Sequence, residues 1–271
     1  MPTFRHQSIR FHYLDRGAGL PLVLHHGLGG SAQLLCSLLR PLTGVRLIAP
    51  DARGHGQTDP PTDPAQFNFY TFADDLRALL DHLGLDRAVV GGMSLGAGVA
   101  LNLALRFPAR VQGLVLIRPA WLDRPHPWAA HMFELMARLL RQHQPPQARA
   151  LFLQTEEYRQ TLQQYPDTAR LLALQFSAPQ PQWAAARLEA FARAVPWPDC
   201  ADLKAISAPT LVLGSRLDPI HPFESAQQLA RAIPSAELHE MTTGPLDSPQ
   251  HSHELHLHLS QFLQRHFGLA Q

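Results

Sequence analysis

The sequence predicts an α/β fold: a mostly parallel central sheet flanked by helices and interrupted by a helical insertion. Three observations carry this. Short continuous apolar runs recur along the chain, as expected for strands buried on both faces. Segments with helical spacing alternate with them, which implies parallel strands joined by right-handed crossovers. Over one long stretch, from about Leu122 to Pro198, the strand pattern is absent and then returns.

The elements follow in order. Ile9 to Tyr13 alternates and reads as an edge strand. Leu22–His25 and Val45–Ala49 are strand-sized apolar runs, bounded by Pro21 and Gly27 and by Pro50-Asp51. Phe72 to Leu83 has apolar residues at Leu76, Leu79, Leu80 and Leu83 with Gly84 as a stop, which predicts a helix. Ala88–Gly91 is a third buried strand, Leu95–Phe107 a helix of small residues ending at Pro108, and Leu114–Ile117 a fourth strand. The stretch from Leu122 to Pro198 holds helical patterns and frequent Pro and Gln (QHQPPQ, APQPQW). Thr210–Leu213 restores the strand pattern. Pro222–Ile233 reads as a helix, Ala236–Met241 as a last strand and His253–Phe267 as a closing helix. The predicted organisation is a core of residues 1–120 and 201–271 with a helical cap at 121–200.

Composition narrows the function classes. Of 271 residues, 45% are hydrophobic and 17% charged, and Lys plus Arg total 23 against 22 acidic residues. Such a balance argues against nucleic acid or an anionic membrane as the main partner. Two cysteines, Cys36 and Cys200, make no disulfide framework and fit a reducing, cytoplasmic compartment. The N-terminus MPTFRHQSIRF lacks the pattern of a signal peptide, and no run approaches the roughly 20 apolar residues of a spanning helix. The sixteen histidines are many for this length and read mainly as surface residues.

The strongest motif is Gly92-Met93-Ser94-Leu95-Gly96, a G-x-S-x-G. It follows a strand and opens a helix, so the serine sits at the apex of a sharp turn. Small neighbours are required there, and Gly92, Gly96 and Gly98 supply the room. The helix N-terminus places a positive dipole end below a developing oxyanion. Alone, the motif is also compatible with an ordinary glycine-rich strand-to-helix turn.

With this elbow, the chain resembles the α/β-hydrolase superfamily, in the branch of cofactor-free esterases, lactonases and perhydrolases with a helical cap. The resemblance covers nearly the whole chain. It includes His26-Gly27-Leu28-Gly29-Gly30, Asp51-Ala52-Arg53-Gly54-His55-Gly56, the elbow, and Leu213-Gly214 followed by Asp218. It implies Ser94 as nucleophile and an oxyanion hole built from the N–H groups of Leu28 and Leu95. His26, Gly27, Gly29 and Trp121 would lie against the substrate. Arg53 and His55 would brace the loops around the site.

A serine nucleophile needs a base, and the base an orienting carboxylate. The family order is Ser, acid, His, which points to Asp218, with Asp123 as the second candidate acid. The family usually carries Gly-His after the last strand, whereas this chain has Gly244-Pro245. The nearest replacements are His251, the first choice of base, and His253, the second. His256 and His258 fall inside the predicted helix and His239 in the last strand. His221 lies three residues after Asp218, where relatives often carry a histidine without using it as the base. The tail histidines show no metal-site spacing.

The implied function is hydrolysis of a small, partly apolar ester, lactone or related acyl compound, without metal or organic cofactor. A cap rich in Trp, Phe and Met favours an apolar group in the pocket. A homo-oligomer is compatible with the sequence. Two alternatives stay open: a ligand-binding protein on an impaired hydrolase scaffold, because of Pro245, and a lyase, perhydrolase or carbon–carbon hydrolase using the same site.

Overall fold

The structure is a computed structural model that describes residues 2–178, 180–242 and 248–269. An eight-stranded sheet forms its centre: β1 (Thr3–His6), β2 (Ile9–Gly17), β3 (Leu20–His25), β4 (Val45–Pro50), β5 (Ala88–Met93), β6 (Val111–Ile117), β7 (Thr210–Ser215) and β8 (Ala236–Met241). Their order is β1-β2-β4-β3-β5-β6-β7-β8. The first two strands pair antiparallel, and all pairs from β4–β3 onward are parallel. The strand expected at the edge, β2, instead lies between β1 and β4, and its pairing with β4 carries it past Tyr13 to Gly17, where Arg46 also pairs with Asp15 at 2.7 Å.

Both faces of the inner parallel strands are largely buried, unlike those of the edge strand β8, and the two-residue period divides their side chains between two cores. Leu22, Leu24, Val89, Val115, Ile117, Leu211 and Leu213 point to one face. There they meet α1 (Ala32–Ser37) and α10 (Pro249–Phe267), the latter through Leu255, Leu259, Phe262 and Leu263. Val23, Val90, Leu114, Leu116 and Val212 point to the other face. They pack on α2 (Phe69–His82), α3 (Leu95–Arg106) and α9 (Phe223–Ala232). Six residues make α1 too short for its period to be read from sequence.

Helix ends follow local chemistry. Asn68 caps α2 by accepting the Thr71 N–H, and Ser248 caps α10 by accepting the His251 N–H, with Pro249 next in the first turn. This cap starts α10 four residues before the apolar spacing suggests.

Between β6 and β7 the chain forms five helices: α4 (Pro127–Gln142), α5 (Pro145–Phe152), α6 (Glu156–Gln164), α7 (Pro166–Leu174) and α8 (Ala184–Arg193). No strand occurs among the described residues of this insertion. It is tied to the sheet side by Trp121 Nε1 donating to Phe191 O at 3.1 Å, Gln180 Nε2 to Thr58 O at 2.7 Å, and Arg187 to Gly54 O. No helix among the described residues is long and apolar enough to cross a membrane.

The loop after β4 rests on a buried ion pair. Arg53 is fully buried and donates through Nε and Nη2 to Asp75 at 2.7 and 2.6 Å, with further bonds to Gln66 and Gln7. Removing one partner of such a pair leaves a buried charge uncompensated, at a cost of about 3–5 kcal/mol. Asp75→Ala is therefore expected to lower the melting temperature by about 10 °C, read by circular dichroism. An unchanged melting temperature would show that Gln7 and Gln66 suffice to hold Arg53.

Candidate active site

Ser94 occupies the turn between β5 and α3 with φ 55° and ψ −112°. Left-handed backbone at a non-glycine residue stores about 1–3 kcal/mol, and the surroundings hold it in place. The Ser94 N–H donates to Ile117 O at 2.9 Å, and Ser94 O accepts from the Ala97 and Gly98 N–H groups. The flanking glycines are required by contact. A Cβ on Gly96 would meet His25 O at 2.0 Å, and one on Gly92 would meet Gly96 at 2.5 Å and His25 O at 2.6 Å.

Asp218 comes from the loop after β7. Its Oδ1 accepts the N–H groups of Ile220 and His221 at 3.2 and 3.3 Å, which closes the loop into a tight turn. That turn brings the His221 ring back onto its own acid. His221 Nδ1 donates to Asp218 Oδ2 at 2.7 Å, and Ser94 Oγ donates to His221 Nε2 at 2.8 Å. Arg118, the residue after β6, donates to the same Oδ2 from Nε at 3.1 Å and from Nη2. Burial disfavours the Asp218 carboxylate, but the adjacent His221 and Arg118 outweigh it and hold the carboxyl well below its usual range. Burial also lowers the His221 imidazole, against the pull of Asp218. At neutral pH His221 is therefore uncharged, with Nε2 free to accept a proton.

Sequence reasoning expected His251, and after it His253, beside Ser94; the structure places His221 there instead. His251 lies in the first turn of α10, buried, with no hydrogen-bond partner for either ring nitrogen among the described residues. It does not line the cavity at Ser94. Burial and nearby Arg118 push it down to about 4. His253 is exposed on the same helix, and Asp123 pairs with Arg124 at 3.5 Å. Gly244-Pro245 lie outside the described residues. The signal for His221 was the D-x-x-H spacing between two prolines, Asp218-Pro219-Ile220-His221-Pro222, which a tight turn converts into an acid–imidazole pair.

His26, Gly27, Leu28, Gly29 and Trp121 all border a cavity of about 230 Å³ that opens at Ser94. The histidine helps build the wall: His26 Nδ1 donates to Gly27 O at 2.7 Å, and its Nε2 accepts the Ala52 N–H at 3.0 Å. Phe133, Leu171, Leu172 and Gln175 of the insertion close the other side. Gln175 Nε2 donates to Leu28 O at 3.0 Å, so the insertion grips the glycine-rich loop directly. Neither the Leu28 N–H nor the Leu95 N–H donates a hydrogen bond among the described residues. The cavity wall is mostly apolar, and its polar members include Ser94 and the His221 that bonds to it. A serine hydroxyl, an uncharged imidazole and a carboxylate in series can transfer a proton from the hydroxyl to Nε2 and leave an alkoxide to attack an electrophile.

Comparison with known proteins identifies the family of the fold. The family described as the α/β hydrolase fold matches residues 21–251. The chain is 33% identical over 251 residues to the 2-hydroxymuconate semialdehyde hydrolase of Pseudomonas sp. (strain CF600), covering 86% of this chain and 82% of that one. It is 30% identical over 235 residues to the AB hydrolase superfamily protein YisY of Bacillus subtilis (strain 168), covering 83% and 84%. Among solved structures, a thermophilic esterase from Thermogutta terrifontis superposes with a TM-score of 0.74 at 29% identity, covering 95% of this chain and 94% of that one. A sheet of this order, a serine at its strand-to-helix elbow and a match along most of the chain lead to one conclusion: the chain belongs to the α/β hydrolase family, whose named members here are hydrolases.

Proposed function

We propose that the protein is a serine hydrolase of small, partly apolar acyl compounds, working through a Ser94-His221-Asp218 triad. The observation that carries the proposal is the unbroken hydrogen-bond series from Ser94 Oγ through both His221 nitrogens to Asp218, at 2.8 and 2.7 Å. Ser94 Oγ attacks the carbonyl carbon while its proton passes to His221 Nε2. Asp218 orients the ring and stabilises the imidazolium that forms. The carbonyl oxygen, now negative, lies between the Leu28 and Leu95 N–H groups at the α3 N-terminus. His221 returns the proton to the leaving group as the tetrahedral intermediate collapses to an acyl-Ser94 ester. Water, deprotonated by the same imidazole, then attacks the acyl carbon, and His221 gives that proton to Ser94 Oγ as the C–O bond breaks and the acid leaves.

The relatives' names, an esterase and a semialdehyde hydrolase, support acyl chemistry of this kind. A cavity of about 230 Å³ favours a short acyl or lactone group over a long chain. The reading is tested with a fluorophosphonate, which reacts with an activated serine without requiring knowledge of the substrate. The expected result is one covalent adduct, mapped by mass spectrometry to the peptide containing Ser94, absent from Ser94→Ala and accompanied by loss of short-chain ester turnover in that variant. No adduct on Ser94 overturns the reading.

A further inference from the structure

Arg118 has no part in proton transfer as described above, yet the fold goes to some length to place it. Its backbone is left-handed, at φ 47°, and its N–H donates to Leu213 O at 2.7 Å, which locks it to the end of β7. Its side chain is 7% exposed and that of Asp218 4%. The oxygen it binds is the one that receives His221 Nδ1. A carboxylate whose sole task is to orient an imidazole is already placed by the two loop N–H groups on its Oδ1.

We propose that Arg118 is a positioning residue of the acid–base pair: it fixes Asp218 Oδ2 toward His221 and cancels the charge behind the imidazole, so that His221 remains a neutral proton acceptor below neutral pH. The inference rests on the triad reading above. Electrostatics give its sign. An isolated buried carboxylate beside an imidazole strongly favours the imidazolium, and the base is then lost as pH falls through a raised value. A guanidinium on the same oxygen opposes that preference and moves the loss of base to lower pH. Burial of the ring acts in the same direction. The other groups around the ring are few. Ser94 faces Nε2. His126, the N-cap of α4, lies close enough for its own charging to be opposed by His221 and is itself lowered, chiefly by burial. His251 is influenced by Arg118 and, in the opposite sense, by Glu254, and burial keeps it uncharged. Asp218, in contact with the ring, and Arg118, on the same carboxylate oxygen, are the charged groups that act on it in opposite senses, so the electrostatic balance at His221 is set between them.

The test is the pH dependence of fluorophosphonate reaction at Ser94, measured in short pulses between pH 5.5 and 8.5 on protein held at pH 7.5. The expected result is that Arg118→Met moves the acidic midpoint of the rate upward by about one pH unit. Arg118→Lys, which keeps a cation at the same place, is expected to retain the native midpoint. An unchanged midpoint in a folded Arg118→Met protein overturns the inference. If that variant fails to fold, the His221 ring is followed by NMR in the native protein. A ring still neutral at pH 6 supports the inference, and one protonated at pH 7 overturns it. These outcomes are distinct from the absence of any Ser94 adduct, which overturns the triad itself.

Discussion

His221→Ala is expected to lower Ser94 reactivity, with an ester or with a fluorophosphonate, by about 10⁴-fold or more at pH 7.5. His251→Ala is expected to change it far less. The contrast follows from geometry. A serine hydroxyl is a weak nucleophile at neutral pH, and its activation depends on a base within hydrogen-bond reach. His221 Nε2 stands 2.8 Å from Ser94 Oγ. The ring of His251 has no hydrogen-bond partner among the described residues and no share in the cavity wall. His221→Gln is the stricter variant: an amide can keep a bond to Asp218 or Ser94 but cannot accept and return a proton, and it too is expected to be inactive. Rates are read at matched protein concentration, with melting curves confirming the fold. A His251→Ala protein that loses activity as His221→Ala does, while still folded, would return the base to α10.

This contrast also marks how far the site could be read without coordinates. The G-x-S-x-G elbow was legible because its requirements are local: a strand, a turn that excludes side chains, and a helix. The glycine-rich loop after β3 was legible for the same reason, and Asp218 because a strand of plain apolar pattern ends just before it. The base was not. Gly244-Pro245 stands where the family resemblance implies Gly-His, and the next histidine downstream is His251. The histidine that meets Ser94 lies upstream, three residues from its acid. Its position depends on a turn whose backbone N–H groups bind Asp218 Oδ1, and no hydrophobic period encodes that. Arg118 was invisible for a related reason. A charged residue following a buried strand reads as a loop residue until its left-handed backbone and its partner, 100 residues on, are known. The sheet itself was well specified by its apolar runs. The elements missed, β1 and α1, are four and six residues long, too short to show a period.

The histidines read mainly as surface residues, and most are at least partly exposed, but the buried minority has a measurable consequence. Six of the sixteen are buried: His12, His25, His26, His55, His221 and His251. Five of them are held below the usual imidazole value, in each case chiefly by burial: His25 to about 3, His251 to about 4, and His26, His55 and His221 in the same direction. In the unfolded chain each takes up a proton near pH 6.5. Below that pH the unfolded state therefore binds more protons than the folded one, and stability falls as pH falls. His25 and His251 alone remove on the order of 5 kcal/mol between pH 6.5 and 4.5. The other three act in the same sense. Asp75 opposes them: its carboxyl, raised by burial to about 6, takes up a proton in the folded state and offsets part of the loss. Asp218 adds to the loss only below the ordinary carboxylate range, where its unfolded form protonates. A domain with roughly 5–15 kcal/mol of stability at neutral pH cannot absorb such a loss far below pH 5. Cooperative unfolding is therefore expected between about pH 5 and 4, seen in tryptophan fluorescence and near-ultraviolet circular dichroism. The slope of stability against pH tests the cause. His25→Leu also loses the Nδ1 bond to His26 O, and so starts from lower stability at pH 7.5. Its stability nonetheless falls less steeply between pH 6 and 5, because one proton fewer separates the two states. A protein that stays native at pH 4, or a slope unchanged by His25→Leu, would mean that these buried rings accept protons without leaving the core.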